Sequence, residues 1–290
     1  MIGTNGYSLS KDGKFAVHTI CSAERPVSTT IVALPSHVSQ HNLASNTRLL
    51  AMHQSLGASE GAHSGEEQHL ALPPLDFFKV PLSAEVELDG WCMFPPGFDP
   101  SRLHAYPVIF YVYGEPAACT VRDRWAGKVG IWHRMLAQRG AVVLSVDNRG
   151  TPSLKGAAWR KHIYKSIGSN PSEDQAAALS SIMASRNYLD PARVAVWGWS
   201  GGGSMSLNML FRHPELYSTA VSVAPVPDMK LYDTIYQERY MGEALHGTHI
   251  NMMYVLLMLF CYMRLILPQR HLKKTLRDIS MAVPSTSPNT

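Results

Sequence analysis

Val194-Ala-Val-Trp-Gly-Trp-Ser200-Gly-Gly-Gly-Ser-Met-Ser-Leu-Asn208 reads as a strand, a tight turn carrying one serine, and a helix. Within it, Gly198-Trp-Ser-Gly-Gly202 has the G-x-S-x-G pattern, in which glycines flank the serine because a side chain there would strike the neighbouring strand or helix. The turn lifts Ser200 out at the top of a sheet. The helix expected from 202 to about 212 points its N-terminus at that hydroxyl, so the Gly201 N–H can face an oxygen that turns negative when Ser200 attacks a carbonyl. The five-residue pattern alone recurs by chance. The apolar strand before it and the helical stretch after it identify a nucleophile elbow.

The chain around this stretch has 290 residues, 46% hydrophobic and 17% charged, which suits one large globular domain or two modest ones. The net charge of +4 is concentrated at the end, where residues 243–290 hold five Arg or Lys against two acids. A nearly neutral body with no basic patch excludes a nucleic-acid partner. Cys21, Cys92, Cys119 and Cys261 show no metal-ligand spacing and read as free, small apolar residues. No cofactor or metal is expected. The first ten residues lack the basic start and apolar run of a signal peptide, and the compartment stays open.

Upstream of the elbow, residues 6–34 alternate short apolar runs with turns, and Lys11-Asp-Gly13 leads into a strand. A second strand is expected over 28–34. Two or three antiparallel strands cannot bury themselves, so this segment needs a partner sheet or further copies, and no second copy is present. Asn46 is expected to cap a short helix running to about residue 56, followed by a polar linker over 57–68.

From Phe77 the pattern changes. Strands are expected over 77–81 and 84–94, and Tyr106-Pro-Val-Ile-Phe-Tyr-Val-Tyr113 reads as a strand buried on both faces. Helices over 124–139, 172–186 and 202–212 then alternate with strands over 141–146, 193–197 and 219–223, which predicts a mostly parallel sheet. Ligands in such sheets bind beyond the strand C-termini, where Tyr113, Asp147 and Ser200 all fall. Asp147 and Arg149 read as a structural turn pair, Asp174 as a first-turn acid favouring its helix dipole, and Trp199 as a support for the elbow. The apolar run from Met252 to Met263 is only twelve residues, short of the ~20 that cross a membrane, so membrane contact is not the expectation. Residues 281–290 read as a disordered tail.

Tyr111-Val-Tyr-Gly-Glu-Pro116, Ser145-Val-Asp-Asn-Arg-Gly-Thr151, the elbow, Ala224-Pro-Val-Pro227 and Tyr232-Asp-Thr-Ile-Tyr-Gln-Glu-Arg-Tyr-Met-Gly242 together resemble the dipeptidyl peptidase IV branch of the prolyl oligopeptidase (S9) serine peptidases. The resemblance covers about residues 76–242, and residues 6–34 resemble the final blade of that family's β-propeller. It implies an α/β class chain. Residues 1–75 would be a remnant blade plus linker, 76–242 an α/β-hydrolase domain truncated at its C-terminal strands, and 243–290 an unassigned apolar and basic tail. The chain would then be a fragment. The implied activity is cleavage of peptides after a penultimate Pro or Ala, and a homodimer is within the family's habits. Ser200 matches the acylated nucleophile, Gly201 the residue whose N–H binds the oxyanion, and Tyr113 the second oxyanion donor. Tyr232, Tyr236 and Val226 match the apolar walls of the proline pocket. Tyr232 and Tyr236 are also one helical turn apart, so a plain packing role stays open for them.

A serine nucleophile needs a base, and the base an orienting acid, in this fold in the order Ser, Asp or Glu, His. After Ser200 come His213, His246, His249 and His271, with Asp228, Asp233 and Asp278. His213 should point away from the serine at the far end of the elbow helix, Asp278 follows every histidine, and Asp228 and Asp233 sit at pocket positions. The triad Asp and His are therefore unassigned. Glu115 is a further departure, because the family usually has glycine there and a carboxylate beside Tyr113 opposes developing negative charge. Two other readings stand beside an impaired peptidase. One is a non-catalytic, peptide-binding interaction protein, and the other an esterase using the same elbow.

Overall fold

The computed structural model describes residues 3–49, 51 and 75–242, in two compact units, one ending at Pro225 and the other starting at Val226. The first unit holds two sheets. Strands β1 (Thr4–Leu9), β2 (Phe15–Cys21), β3 (Ser28–Ala33) and β4 (Ser39–Ala44) pair antiparallel in chain order. The β1–β2 turn closes where Asp12 accepts the Ser10 hydroxyl at 2.7 Å and the Lys14 N–H at 3.1 Å, which is how Asp-Gly turns form. The fourth strand was not expected. Its polar run, Ser39-Gln-His-Asn, has no apolar face to signal it, and its side chains are exposed throughout. Asn46 stands at φ 49° directly before helical residues 47–49 and 51, and its side-chain amide donates to the Val27 carbonyl. The helix expected to about residue 56 lies mostly outside the described residues, as do the 57–68 linker and everything assigned to 243–290.

The second sheet has six strands: β5 (Leu75–Pro81), β6 (Glu87–Met93), β7 (Tyr106–Tyr111), β8 (Val142–Asp147), β9 (Leu189–Trp199) and β10 (Thr219–Val223). Their spatial order is β10-β9-β7-β8-β6-β5. The four strands from β10 to β8 run parallel and β6 and β5 antiparallel, a mixed sheet with helices consistent with the α/β-hydrolase class. The connecting helices are α1 (Gly127–Gln138), α2 (Gly156–Lys161), α3 (Asn170–Ser185) and α4 (Gly201–Arg212). α2 was not expected, and none of its residues is buried, so it carries no apolar periodicity.

One face of the sheet packs Phe110, Val112, Leu144 and Val196 against Leu179 from α3 and Met205 and Met209 from α4. The other packs Trp91, Met93 and Val143 against Ala137 of α1. The strand buried along its whole length is β8, whereas β7, expected to be buried on both faces, alternates buried with half-buried residues. Within the first unit, the first sheet is tied to the loop after β7 through Asp123, whose carbonyl accepts the Thr4 hydroxyl at 2.8 Å and whose carboxylate accepts the Ala23 N–H at 2.9 Å.

On the α1 face, His133 is 2% exposed and packs against Tyr111, Trp91 and Trp197 at ring-centre distances of 4.7, 5.2 and 5.4 Å. Its Nε2 is buried without a hydrogen-bond partner. Burial holds the imidazole neutral, lowering its pKa from 6.5 to about 3. Between those values the unfolded chain binds a proton that the folded chain refuses, so stability should fall as pH drops from 6.5 toward 3, by up to about 1.4 kcal/mol per pH unit. Urea denaturation between pH 7 and 4.5 should show this slope, and His133→Phe should remove it.

Candidate active site

Ser200 stands between the last residue of β9 and the first of α4 with φ 57° and ψ −121°, outside the regions that L-residues ordinarily occupy. Hydrogen bonds on both sides hold it there. The Ser200 N–H donates to the Val223 carbonyl at the end of β10 (2.9 Å), and its carbonyl accepts from Gly203 (2.8 Å) and Ser204 (3.1 Å), which starts α4. The glycines answer to close backbone approach. A Cβ on Gly198 would run into the carbonyls of Gly202 and Val112, and one on Gly202 would strike Val112 O and lie 3.1 Å from the Tyr113 Cα. The elbow is thus packed directly onto the chain leaving β7.

That chain carries Tyr113, half-buried and two residues past the strand. Pairing of Tyr111 with Trp197 and with Ser145 puts Tyr113, Trp199 and Asp147 level at the C-terminal edge of the sheet. Ser200, Gly201 and Tyr113 therefore gather at one end of the first unit, where an elbow hydroxyl, a helix N-terminal amide and a phenol can serve acyl transfer. Trp199 does not support the elbow from within. It is 62% exposed, because the strand ends there and the aromatic cluster stops at Trp197.

Two acids expected in local roles act across the fold. Asp147 does not pair with Arg149. Its carboxylate accepts the Thr120 N–H (2.8 Å), the Thr120 hydroxyl (2.9 Å) and the Val121 N–H (3.0 Å), while burial pushes its carboxyl pKa up against these bonds. Asp174 is not a dipole partner in the first turn, a place taken by Glu173. It is 2% exposed and holds Arg149 through Nη2 (2.6 Å) and Nε (3.0 Å). The Asp174 bond in turn raises the Arg149 pKa. Removing Arg149 would strand the buried Asp174 carboxylate, a loss that at buried sites costs about 3–5 kcal/mol.

Sequence reasoning missed the polar chain behind Tyr113. Gln175 Nε2 donates to the Val146 carbonyl (2.8 Å) and to Asn148 Oδ1 (2.9 Å), and Asn148 Nδ2 donates to the Gly114 carbonyl (3.2 Å). Gln175 and Asn148 are both fully buried, so this chain fixes the loop after β7 from underneath. It also missed where the Glu115 side chain goes. Glu115 is 5% exposed, and its carboxylate fills the place a Cβ on Gly201 would take, with Oε1 2.8 Å from that position. The only signal available was the departure from glycine at 115.

The pocket residues expected at 226, 232 and 236 lie in the second unit. There helix α5 (Thr234–Met241) is capped by Asp233, whose carboxylate accepts the Tyr236 N–H at 2.8 Å. Tyr232 packs edge-on against Tyr236 (5.4 Å), which packs against Tyr240 (4.8 Å), so the two tyrosines stand in a file of three phenols. Val226 is half-buried at the start of the unit. Of the histidines after Ser200, His213 is the one within the described residues. It follows the twelve-residue α4, about 18 Å along the axis, next to Glu173 (3.8 Å) and Glu215 (3.7 Å). His246, His249, His271 and Asp278 lie outside the described residues. Among the described residues no group of three or more His, Cys, Asp or Glu is placed to hold a metal ion, and no helix is long and apolar enough to cross a membrane.

Residues 131–253 match the prolyl oligopeptidase family, eleven residues beyond the Gly242 that closes the motif-level resemblance. A probable dipeptidyl-aminopeptidase B of Botryotinia fuckeliana is 40% identical over 154 residues, 53% of this chain and 16% of that protein. A probable dipeptidyl peptidase 4 of Aspergillus flavus is 34% identical over 172 residues, 59% of this chain and 22% of that protein. The crystal structure of Porphyromonas gingivalis dipeptidyl peptidase 4 superposes with a TM-score of 0.73 at 31% identity, covering 88% of this chain and 33% of that one. The chain spans about a third or less of these relatives.

The strained turn makes a stability prediction. Glycine tolerates positive φ where alanine does not, so Ser200→Gly should be more stable than Ser200→Ala by about 1–2 kcal/mol. Paired denaturation curves of the two variants measure that difference directly.

Proposed function

We propose that this chain belongs to the dipeptidyl peptidase IV branch of the prolyl oligopeptidase (S9) family, supported by the match of residues 131–253, and that it carries the nucleophile-bearing part of a serine peptidase. The observation that carries the reading is Ser200 held at φ 57° between a strand end and a helix N-terminus. In the proposed reaction the Ser200 Oγ attacks a peptide carbonyl, and the Gly201 N–H and Tyr113 hydroxyl donate to the resulting oxyanion. The C–N bond then breaks, the amine leaves with a proton, and water hydrolyses the acyl ester on Ser200. Tyr232, Tyr236 and Val226 are proposed as the apolar walls for a Pro or Ala side chain at the penultimate position. Flat phenol faces suit a small rigid ring that loses little entropy on binding. The four-stranded antiparallel sheet of residues 4–44 has the strand count of one propeller blade, and we read it as such. A homodimer would follow the family.

Turnover by this chain alone is proposed to be impaired. The triad base is unassigned, and His213 sits at the wrong end of α4 to receive the Ser200 proton. The same observation favours, as second reading, a surface that binds Pro-containing peptides without cleaving them. Loss of triad members lowers kcat by about 10⁴- to 10⁶-fold in a serine protease, while acylation by a reactive probe can persist. A fluorophosphonate should therefore label the chain slowly at Ser200 and not at all in Ser200→Ala. An Xaa-Pro amide of a chromogenic amine should turn over at least about 10⁴-fold more slowly than with a triad-complete relative. Labelling that survives Ser200→Ala would refute the assignment, whereas rapid amide cleavage would refute the impairment.

A further inference from the structure

We propose that a cavity on the α1 side of the six-stranded sheet binds a small aromatic carboxylate. The cavity holds about 410 Å³, within the range of small-molecule sites, and lies inside the first unit. Its floor is aromatic, formed by Trp91 and Tyr111 with the His133 ring packed against both. Three guanidinium groups, from Arg122, Arg124 and Arg134, also line it, and among the described residues no Asp or Glu does. A flat ring suits such a floor. A carboxylate on that ring pairs with planar guanidinium donors, two parallel bonds at a time.

Charge and helix polarity both favour an anion here. Arg122 and Arg124 are exposed at the cavity and form no salt bridge among the described residues. Arg134 is fixed in the wall: it is 5% exposed, donates to the Ala23 carbonyl at 3.1 Å and faces Glu24. Two other acids stand nearby, but the Asp123 carboxylate accepts the Ala23 N–H, and Asp147, which feels Arg122, accepts three hydrogen bonds from Thr120 and Val121. Helix α1 starts at the same space. Gly127 and Val129 line the cavity, no side chain caps the first amides of the helix, and its first turn carries no acid. His133 adds a polar atom that the fold leaves unsatisfied. It is 2% exposed, and its Nε2 has no hydrogen-bond partner among the described residues, which is rare in a folded core. Burial keeps that ring neutral, so the floor carries no charge and the guanidinium groups alone orient the ligand.

The test titrates the whole chain calorimetrically with 2-naphthoate. One-to-one binding is expected with a Kd of about 0.1 mM, ordinary for a ligand of that size. The uncharged 2-naphthamide should bind about 10-fold more weakly, and Arg124→Gln, which alters an exposed side chain and spares the core, should weaken 2-naphthoate by about the same factor. Half-buried Cys119 lines the cavity and reports the location. At ten times its Kd, 2-naphthoate should slow alkylation of Cys119 by N-ethylmaleimide about 10-fold, read by peptide mass spectrometry. Equal affinity for the acid and the amide overturns the proposal on the unaltered chain, whatever the variant does. Inorganic phosphate binding as tightly as 2-naphthoate overturns the aromatic ligand, and absence of binding, or binding that leaves Cys119 unprotected, overturns the site. None of these outcomes bears on Ser200, whose fluorophosphonate labelling is read separately.

Discussion

Everything at the sheet's C-terminal edge depends on how closely two backbones approach there. Residues 198–202 turn from β9 into α4 within contact distance of the Val112 carbonyl, at the end of β7, and only hydrogen atoms fit between them. This contact sets the height of Ser200 above the sheet, puts the first turn of α4 next to Tyr113, and lets the Ser200 N–H reach across to Val223. The cost is a residue at φ 57°, a strain of order 1–3 kcal/mol that the surrounding hydrogen bonds must offset. Ten consecutive residues of α4, Gly201–Leu210, are buried, so the helix that imposes the strain is itself held by the core.

The opposite wall of the site is fixed from further away. Gln175 on α3 reaches the ends of β8 and of the loop after it, and Asn148 passes the constraint on to Gly114. Arg149 and Asp174 bind the same two segments a residue further along. The β8–α2 connection thus works as a bracket: one side is clamped to α3, and the other carries the Tyr113 loop. Asp147, at its root, turns the opposite way and holds the Thr120–Val121 segment. Three neighbouring polar residues therefore position three different parts of the chain.

The sequence made the parallel core legible because its signals are local. The Val194–Trp197 run, the glycines after it and the helical spacing beyond each depend on residues within a few positions of one another. β10, expected over 219–223, and α4, expected from 202, came out at those places or within a residue of them. What stayed hidden was either unpatterned or distant. β4 and α2 bury no apolar face, so no periodicity marks them. Asp174 looked like a helix-start acid because its cation is 25 residues away in sequence, and Asp147 looked like a turn partner of Arg149 because both charges sit in one short motif. The candidate nucleophile could be named from the sequence, but the carboxylate lying against the next residue could not, since residues 115 and 201 are joined only by folding.

The contact between Glu115 and Gly201 also limits the order in which this site could change by mutation. While position 115 bears a carboxylate in this place, even the methyl group of alanine at 201 requires that side chain to shift, a constraint on 201 separate from the turn itself. Shortening 115 first opens that space, so a side chain at 201 then enters without displacing its neighbour. The two positions therefore form a coupled pair, in which what 115 carries sets how readily 201 accepts a side chain next to the serine.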